Sequence, residues 1–111
     1  MTNDEISSEI KRIKEYAVKE NIPIIQDEGI DFLTSFIAKK GIRNILEIGT
    51  AIGYSAIKMC LVDNDVYVTT IERDVERYNI AIKNINDFNL NDRINVILGD
   101  ALEVELDDKN I

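Results

Sequence analysis

Histidine and tryptophan are both absent from this chain of 111 residues. Without histidine the commonest general base near neutral pH and the commonest zinc ligand are gone, so any chemistry rests on carboxylates, lysines, a bound cofactor or an oxygen-ligated metal. A single cysteine, Cys60, excludes an internal disulfide and suits a reducing cytoplasm. Set in an apolar helical stretch, Cys60 reads as a buried small hydrophobe. Positive charge is scarce, 13 Lys and Arg against 21 Asp and Glu for a net charge of −8. That balance argues against a dedicated nucleic-acid module, which needs a basic surplus to displace counterions from phosphates. No apolar run approaches the ~18 residues that span a bilayer, and the Met-Thr-Asn-Asp-Glu start is no signal segment. These absences point to a cytoplasmic protein that neither crosses nor inserts into a membrane.

What is present, 45% hydrophobic and 31% charged residues, suits one small globular core or part of one. Residues 3–20 set Ile6, Ile10, Ile13 and Ala17 on one helical stripe, and Thr2 with Glu5 resembles a capping box. Asn21 and the only proline, Pro23, stop this helix. A second helix, Asp27 to Lys40, is expected to bury Ile30, Leu33 and Ile37 and to end at Gly41. The period then changes. Ile42 to Ile48 reads as a parallel strand covered on both faces, Tyr54 to Val62 as a helix, and Val66 to Ile71 as a β-branched strand. A helix follows with Val75, Tyr78, Ile82 and Ile85 at helical spacing, and a loop from Asn86 to Asp92 leads to a third strand, Ile94 to Leu98. The acidic tail to Ile111 carries no further strand. Strand, helix, strand, helix, strand with short links is an α/β pattern, a right-handed βαβαβ half of a doubly wound sheet. Residues 1–41 form a helical segment and residues 42–111 that half-sheet.

In such a sheet a ligand sits beyond the carboxyl ends of the strands. Three groups stand there: Glu47 to Gly53, Glu72, and Gly99-Asp100. Gly49 and Gly53 bracket a tight strand-to-helix turn where backbone can approach a ligand, and Ser55 with the nearby amides could hold a carboxylate. Taken alone, this is a plain turn with Ser55 as a cap. Glu47 lies between Leu46 and Ile48 in a strand expected to be buried, so it needs a partner such as loop amides or a bound ammonium. Glu72, 25 residues on, is where the fold positions an acid to accept both ribose hydroxyls; its other reading is a solvated charge at a helix start. A dinucleotide fits poorly, because Gly-x-Gly-x-x-Gly requires glycines where the chain has Ala51 and Tyr54.

Leu46-Glu47-Ile48-Gly49 with Gly53-Tyr54-Ser55 resembles motif I of the class I methyltransferases in the catechol and caffeoyl-CoA O-methyltransferase family. Thr70-Ile71-Glu72, Asn91 to Ile94 and Gly99-Asp100-Ala101 are similar to bacterial members, and Pro23 with Asp27-Glu28-Gly29 resembles the preceding segment more loosely. The resemblance covers residues 22 to 104. It implies a Rossmann-like fold that binds S-adenosylmethionine: Gly49, Gly53 and Ser55 at the methionine end, Glu47 supporting the loop and the amino group, Glu72 at the ribose, and Asp100 with Ala101 at the adenine. Asp100 also reads as a turn residue. The resemblance further implies methyl transfer to a hydroxyl acceptor, a small catechol-like molecule or a hydroxyuridine in tRNA. It implies a divalent metal such as magnesium, held by residues outside these 111. The chain is therefore expected to be the N-terminal half of a longer enzyme and inactive by itself. Its first strand, central in the family, would lack one neighbour, which invites pairing between copies through the Ile45 edge and a homo-oligomer, or cover of that edge by the chain's own N-terminal helices or tail. Two other readings remain: a non-catalytic nucleoside-binding or assembly module on the same half-fold, and a dehydrogenase. An Asp-x-x-Lys after the next apolar strand would mark the methyltransferase.

Overall fold

The computed structural model describes residues 1–104, so the acidic tail from 105 onward lies outside the described residues. The elements run α1 (Asn3–Lys19), α2 (Asp27–Lys40), β1 (Asn44–Ile48), α3 (Tyr54–Cys60), β2 (Tyr67–Glu72), α4 (Val75–Asp87) and β3 (Ile94–Leu98). Thr2 caps α1 in the expected box: its hydroxyl accepts from the Glu5 N–H at 3.1 Å, while the Glu5 carboxylate accepts from the Thr2 N–H at 3.2 Å. Gly41 ends α2 in the left-handed conformation, φ 65°.

The strands form a parallel sheet in the order β1-β2-β3, with Glu47 opposite Thr70 and Glu72 opposite Leu98. Period-two alternation puts Ile45 and Glu47 on the same side as Val68, Thr70 and Glu72. That side carries α3 and α4, and α1 and α2 pack outward onto α3. Ile13, Ala17, Ile30, Ile37, Ile52, Ile57, Val68, Ala81 and Ile85 fill the core between them.

Five expectations from the sequence need correction. The first strand starts at Asn44 and not at Ile42, because the Ile42 N–H closes the α2 cap on the Ile37 carbonyl at 3.1 Å. The strand is not covered on both faces: Leu46 and Ile48 are 42% and 62% exposed, since every helix among the described residues lies on the opposite side of the sheet. The third helix stops at Cys60, where Val62 N–H turns back to Met59, and β2 starts at Tyr67, because Val66 N–H is held in a turn by Asp63. In α4 the buried stripe is Ala81, Asn84, Ile85 and Phe88, while Val75 is exposed and Ile82 half-buried. An unforeseen polar member, Asn84, shifts that stripe. Its amide donates to the Ile52 carbonyl at 2.9 Å, and its oxygen accepts from Arg12 at 3.2 Å.

Candidate functional site

The ends of β1 and β2 meet the loop between β1 and α3, and the loop is pinned by β2. Gly49 and Thr50 both donate their N–H to the Ile71 carbonyl, at 2.8 and 3.2 Å, and Gly53 N–H closes on Thr50 at 3.0 Å. Gly49, Ala51 and Gly53 all take positive φ, 89°, 51° and 90°. At Gly53 an added Cβ would meet Ala81 at 3.6 Å, in ordinary contact but on a backbone that side chains rarely adopt. At Gly49 an added Cβ would meet nothing within 4 Å, because it would project into open space.

Glu47 and Glu72 stand on either side of this loop and are held differently. Glu47 accepts from the Ser55 hydroxyl and, at 2.7 Å, from the Thr70 hydroxyl. Thr50 and Thr70 hydroxyls lie 2.6 Å apart. Since the one proton of Thr70 goes to Glu47, Thr50 must be the donor in that contact. A buried chain of donors therefore runs from Thr50 through Thr70 to Glu47. Burial pushes the Glu47 carboxyl above the usual carboxylate range, the Ser55 and Thr70 hydroxyls pull it down, and the charge of Glu72 pushes it up further. Glu72, only 6% exposed, instead accepts two backbone N–H groups, Ala51 at 2.8 Å on one oxygen and Asp74 at 3.0 Å on the other. A carboxylate offers about four acceptor positions, so each Glu72 oxygen keeps one for a further donor.

Two cavities open on these groups and share Gly49. The first, about 260 Å³, is lined by Pro23, Leu33, Glu47, Gly49, Tyr54 and Ser55 among others. The second, about 470 Å³, is lined by Gly49, Glu72, Arg73, Arg77, Asp100 and Ala101 with neighbouring apolar residues. Together they fall within the roughly 300–1,000 Å³ of small-molecule sites. A larger depression along α1, between Ser7 and Lys19, holds none of the strand-end groups.

Six of the seven residues singled out in the sequence, Glu47, Gly49, Ser55, Glu72, Asp100 and Ala101, thus line one or other of these two cavities, which share Gly49. Gly53 lines neither cavity and lies instead against α4. The Ser55 hydroxyl, read as a carboxylate holder, spends its proton on Glu47, which leaves its oxygen free to accept. Asp100 has both of its readings at once: its side chain accepts the Leu102 N–H at 2.8 Å, which makes a turn, and it lines the second cavity. Thr50, Thr70, Arg73 and Arg77 escaped the sequence reading. The signal for Thr70 was its place across from Glu47, which only the register of β1 on β2 reveals. Among the described residues no three of His, Cys, Asp and Glu gather as a metal-ligating group, and the expected metal is assigned to residues outside these 111. No helix there is long and apolar enough to cross a membrane.

Comparison with known proteins agrees with this architecture. A family model described as O-methyltransferase matches residues 2–109. A protein from Staphylococcus aureus assigned as a caffeoyl-CoA O-methyltransferase superposes with a TM-score of 0.82 at 35% identity, over 85% of this chain and 45% of its own. An O-methyltransferase from Bacillus cereus, solved in complex with SAH, gives 0.77 at 34% identity, over 86% of this chain and 45% of its own. The O-methyltransferase imqG of Aspergillus flavus is 34% identical over 64 residues, 58% of this chain and 26% of the relative. The chain thus spans less than half the length of these relatives. Its sheet and four helices match the N-terminal half of a Rossmann-like methyltransferase fold. The chain belongs to the O-methyltransferase family.

Proposed function

We propose that residues 1–104 form the S-adenosylmethionine-binding part of an O-methyltransferase. The observation that carries this reading is the pair of cavities that share Gly49 in their lining, one with Glu47 and Ser55, the other with Glu72, Asp100 and Ala101. Gly49 lines both cavities, and a Cβ added there would meet nothing within 4 Å. The donor set suits the two ends of this cofactor. Glu47 and the accepting oxygen of Ser55 match an ammonium, the two unused positions of Glu72 match a cis-diol, and Asp100 with Ala101 flanks the place for an adenine. The Bacillus cereus relative, solved with SAH, supports the same reading. When bound, S-adenosylmethionine supplies an electrophilic methyl on its sulfonium, which passes to a hydroxyl oxygen as that hydroxyl loses its proton.

The contribution of this chain is to fix the cofactor's two ends and thereby aim its centre. Glu72 sets the loop through Ala51, and Glu47 completes its charge with the ligand's ammonium. No step is routed through a metal. The acceptor in the whole protein is proposed as a small catechol-like molecule or a hydroxyuridine in tRNA, both of which offer the hydroxyl that family membership calls for. Calorimetry on the 111-residue chain tests the cofactor: saturable binding of S-adenosylhomocysteine with no binding of NAD is expected. Tighter binding of NAD would overturn the proposal.

A further inference from the structure

We propose that Thr70 is a positioning residue of the cofactor site, holding Glu47 from behind as the counter-charge for the ammonium of S-adenosylmethionine; this rests on the cofactor reading above. Thr70 is fully buried and lines neither cavity, so it acts on a ligand only through a neighbour. That neighbour is set by the register, which puts Thr70 across from Glu47. Val68, two residues earlier on the same face of β2, shows that an apolar β-branched side chain suits this strand. A hydroxyl at Thr70 costs desolvation in such a place unless it is used. It is used: it donates to one Glu47 oxygen at 2.7 Å and lies 2.6 Å from the Thr50 hydroxyl, while Ser55 donates to the other Glu47 oxygen. One donor on each oxygen fixes the plane of the carboxylate and leaves each oxygen a position for a cation in the first cavity, which Glu47 lines. The Thr50 proton, directed at the Thr70 oxygen, polarises the Thr70 O–H toward Glu47 and strengthens that bond. Burial drives the Glu47 carboxyl toward its neutral form, which offers an ammonium no counter-charge, and the two hydroxyls oppose this. Ser55 lines the cavity and is open to recruitment by the ligand, whereas Thr70 lies outside that lining.

Calorimetry on the 111-residue chain with two ligands tests this. S-adenosylhomocysteine carries the ammonium, and methylthioadenosine has the adenosine and the sulfur without the amino-acid end. Thr70→Val should weaken S-adenosylhomocysteine about 10-fold, the scale of one hydrogen bond to a charged group, and change methylthioadenosine by less than about twofold. Thr70→Ser keeps the hydroxyl and should stay within about threefold of the parent for both ligands. In a Glu47→Gln chain the Thr70→Val change should cost S-adenosylhomocysteine less than about twofold, because the charge through which Thr70 acts is already gone. Circular dichroism checks that each variant folds. Should Thr70→Val not fold, Thr50→Val removes the donor at the head of the chain and should give the same ligand split at about threefold. Equal losses for both ligands would make Thr70 a mere support of the fold and overturn the proposal. So would an unchanged affinity for S-adenosylhomocysteine, or an undiminished loss in the Glu47→Gln chain. A parent that binds methylthioadenosine as tightly as S-adenosylhomocysteine overturns this proposal and leaves the cofactor reading standing, whereas a parent that binds neither overturns both.

Discussion

The ends of β1 and β2 each bring a carboxylate to the same loop, yet one is held by hydroxyls and the other by backbone. Ser55 and Thr70 hydroxyls can rotate away from Glu47 and accept instead of donate, so its surroundings can adapt when a cation arrives. The Ala51 and Asp74 amides on Glu72 cannot rotate without moving the chain. Glu72 therefore holds the loop through its backbone partners, whereas the burial of Glu47 is offset only by two hydroxyls. Identical residue types at equivalent strand ends thus carry unlike burdens, and the difference lies wholly in their donors.

The largest effect is expected where the backbone depends on the side chain. Glu72→Ala removes two hydrogen bonds to a charged acceptor, each worth about 1.5–3 kcal/mol, and leaves the Ala51 and Asp74 N–H groups to find water. Urea unfolding should show a loss of about 2–4 kcal/mol, a large share of the roughly 5–15 kcal/mol typical of a domain. Affinity for S-adenosylhomocysteine should fall by at least about 10-fold, from the ribose contacts alone. An unchanged unfolding midpoint would show that the loop holds itself, and unchanged affinity would remove the ribose from Glu72.

Glu47→Gln should separate stability from binding, which Glu72→Ala moves together. The folded Glu47 carboxyl titrates above its unfolded counterpart because burial favours the neutral form. Its contribution to stability is therefore fully present below the usual glutamate range near pH 4.3 and is lost as pH rises through the raised folded value. Gln at this position keeps the hydrogen-bonding capacity without the charge. The variant should match the parent at acid pH and melt a few degrees higher at neutral pH, while binding the cofactor more weakly because the ammonium has lost its counter-charge. A variant less stable than the parent at neutral pH would mean that the hydroxyl donors outweigh the burial of the charge.

Much of this contrast is legible in the amino-acid sequence itself, because the strand-end rule locates a site without knowing its contents. Glu47, Glu72 and Asp100 all follow apolar runs, and such runs are easily found. What the sequence hides is who faces whom. Thr69 and Thr70 look like ordinary β-branched strand residues until the register sets Thr70 against Glu47 and Thr50. Asn84 looks like a surface residue of an amphipathic helix until its amide is found on the Ile52 carbonyl, inside the core. Gly53 resembles a ligand position because glycine permits two things that a sequence cannot separate, a left-handed turn and a close approach. At Gly53 the left-handed φ of 90° is the feature on view, and a Cβ there would make only ordinary contact with Ala81. The exposed side of β1 is misjudged for a related reason: an apolar strand reports what it could bury, not what the described residues supply.

The smallest expected effect tests who imposes the loop's shape. Ala51 sits at φ 51°, where a side chain costs about 1–2 kcal/mol, and its N–H is bound to Glu72. Ala51→Gly removes that strain but gives the unfolded chain more freedom, so a net gain of up to about 1 kcal/mol is expected, a few degrees in Tm. If Glu72 holds Ala51 in this conformation, the gain should shrink when Glu72→Ala is already present, since the loop can then relax without help. A double-mutant cycle of the two changes reads this coupling directly, because residues in contact depart from additivity by about 0.5–3 kcal/mol. Strict additivity would assign the turn to Gly49 and Gly53, which take positive φ on either side of Ala51, and would leave Glu72 as a receiver of the loop and not its organiser.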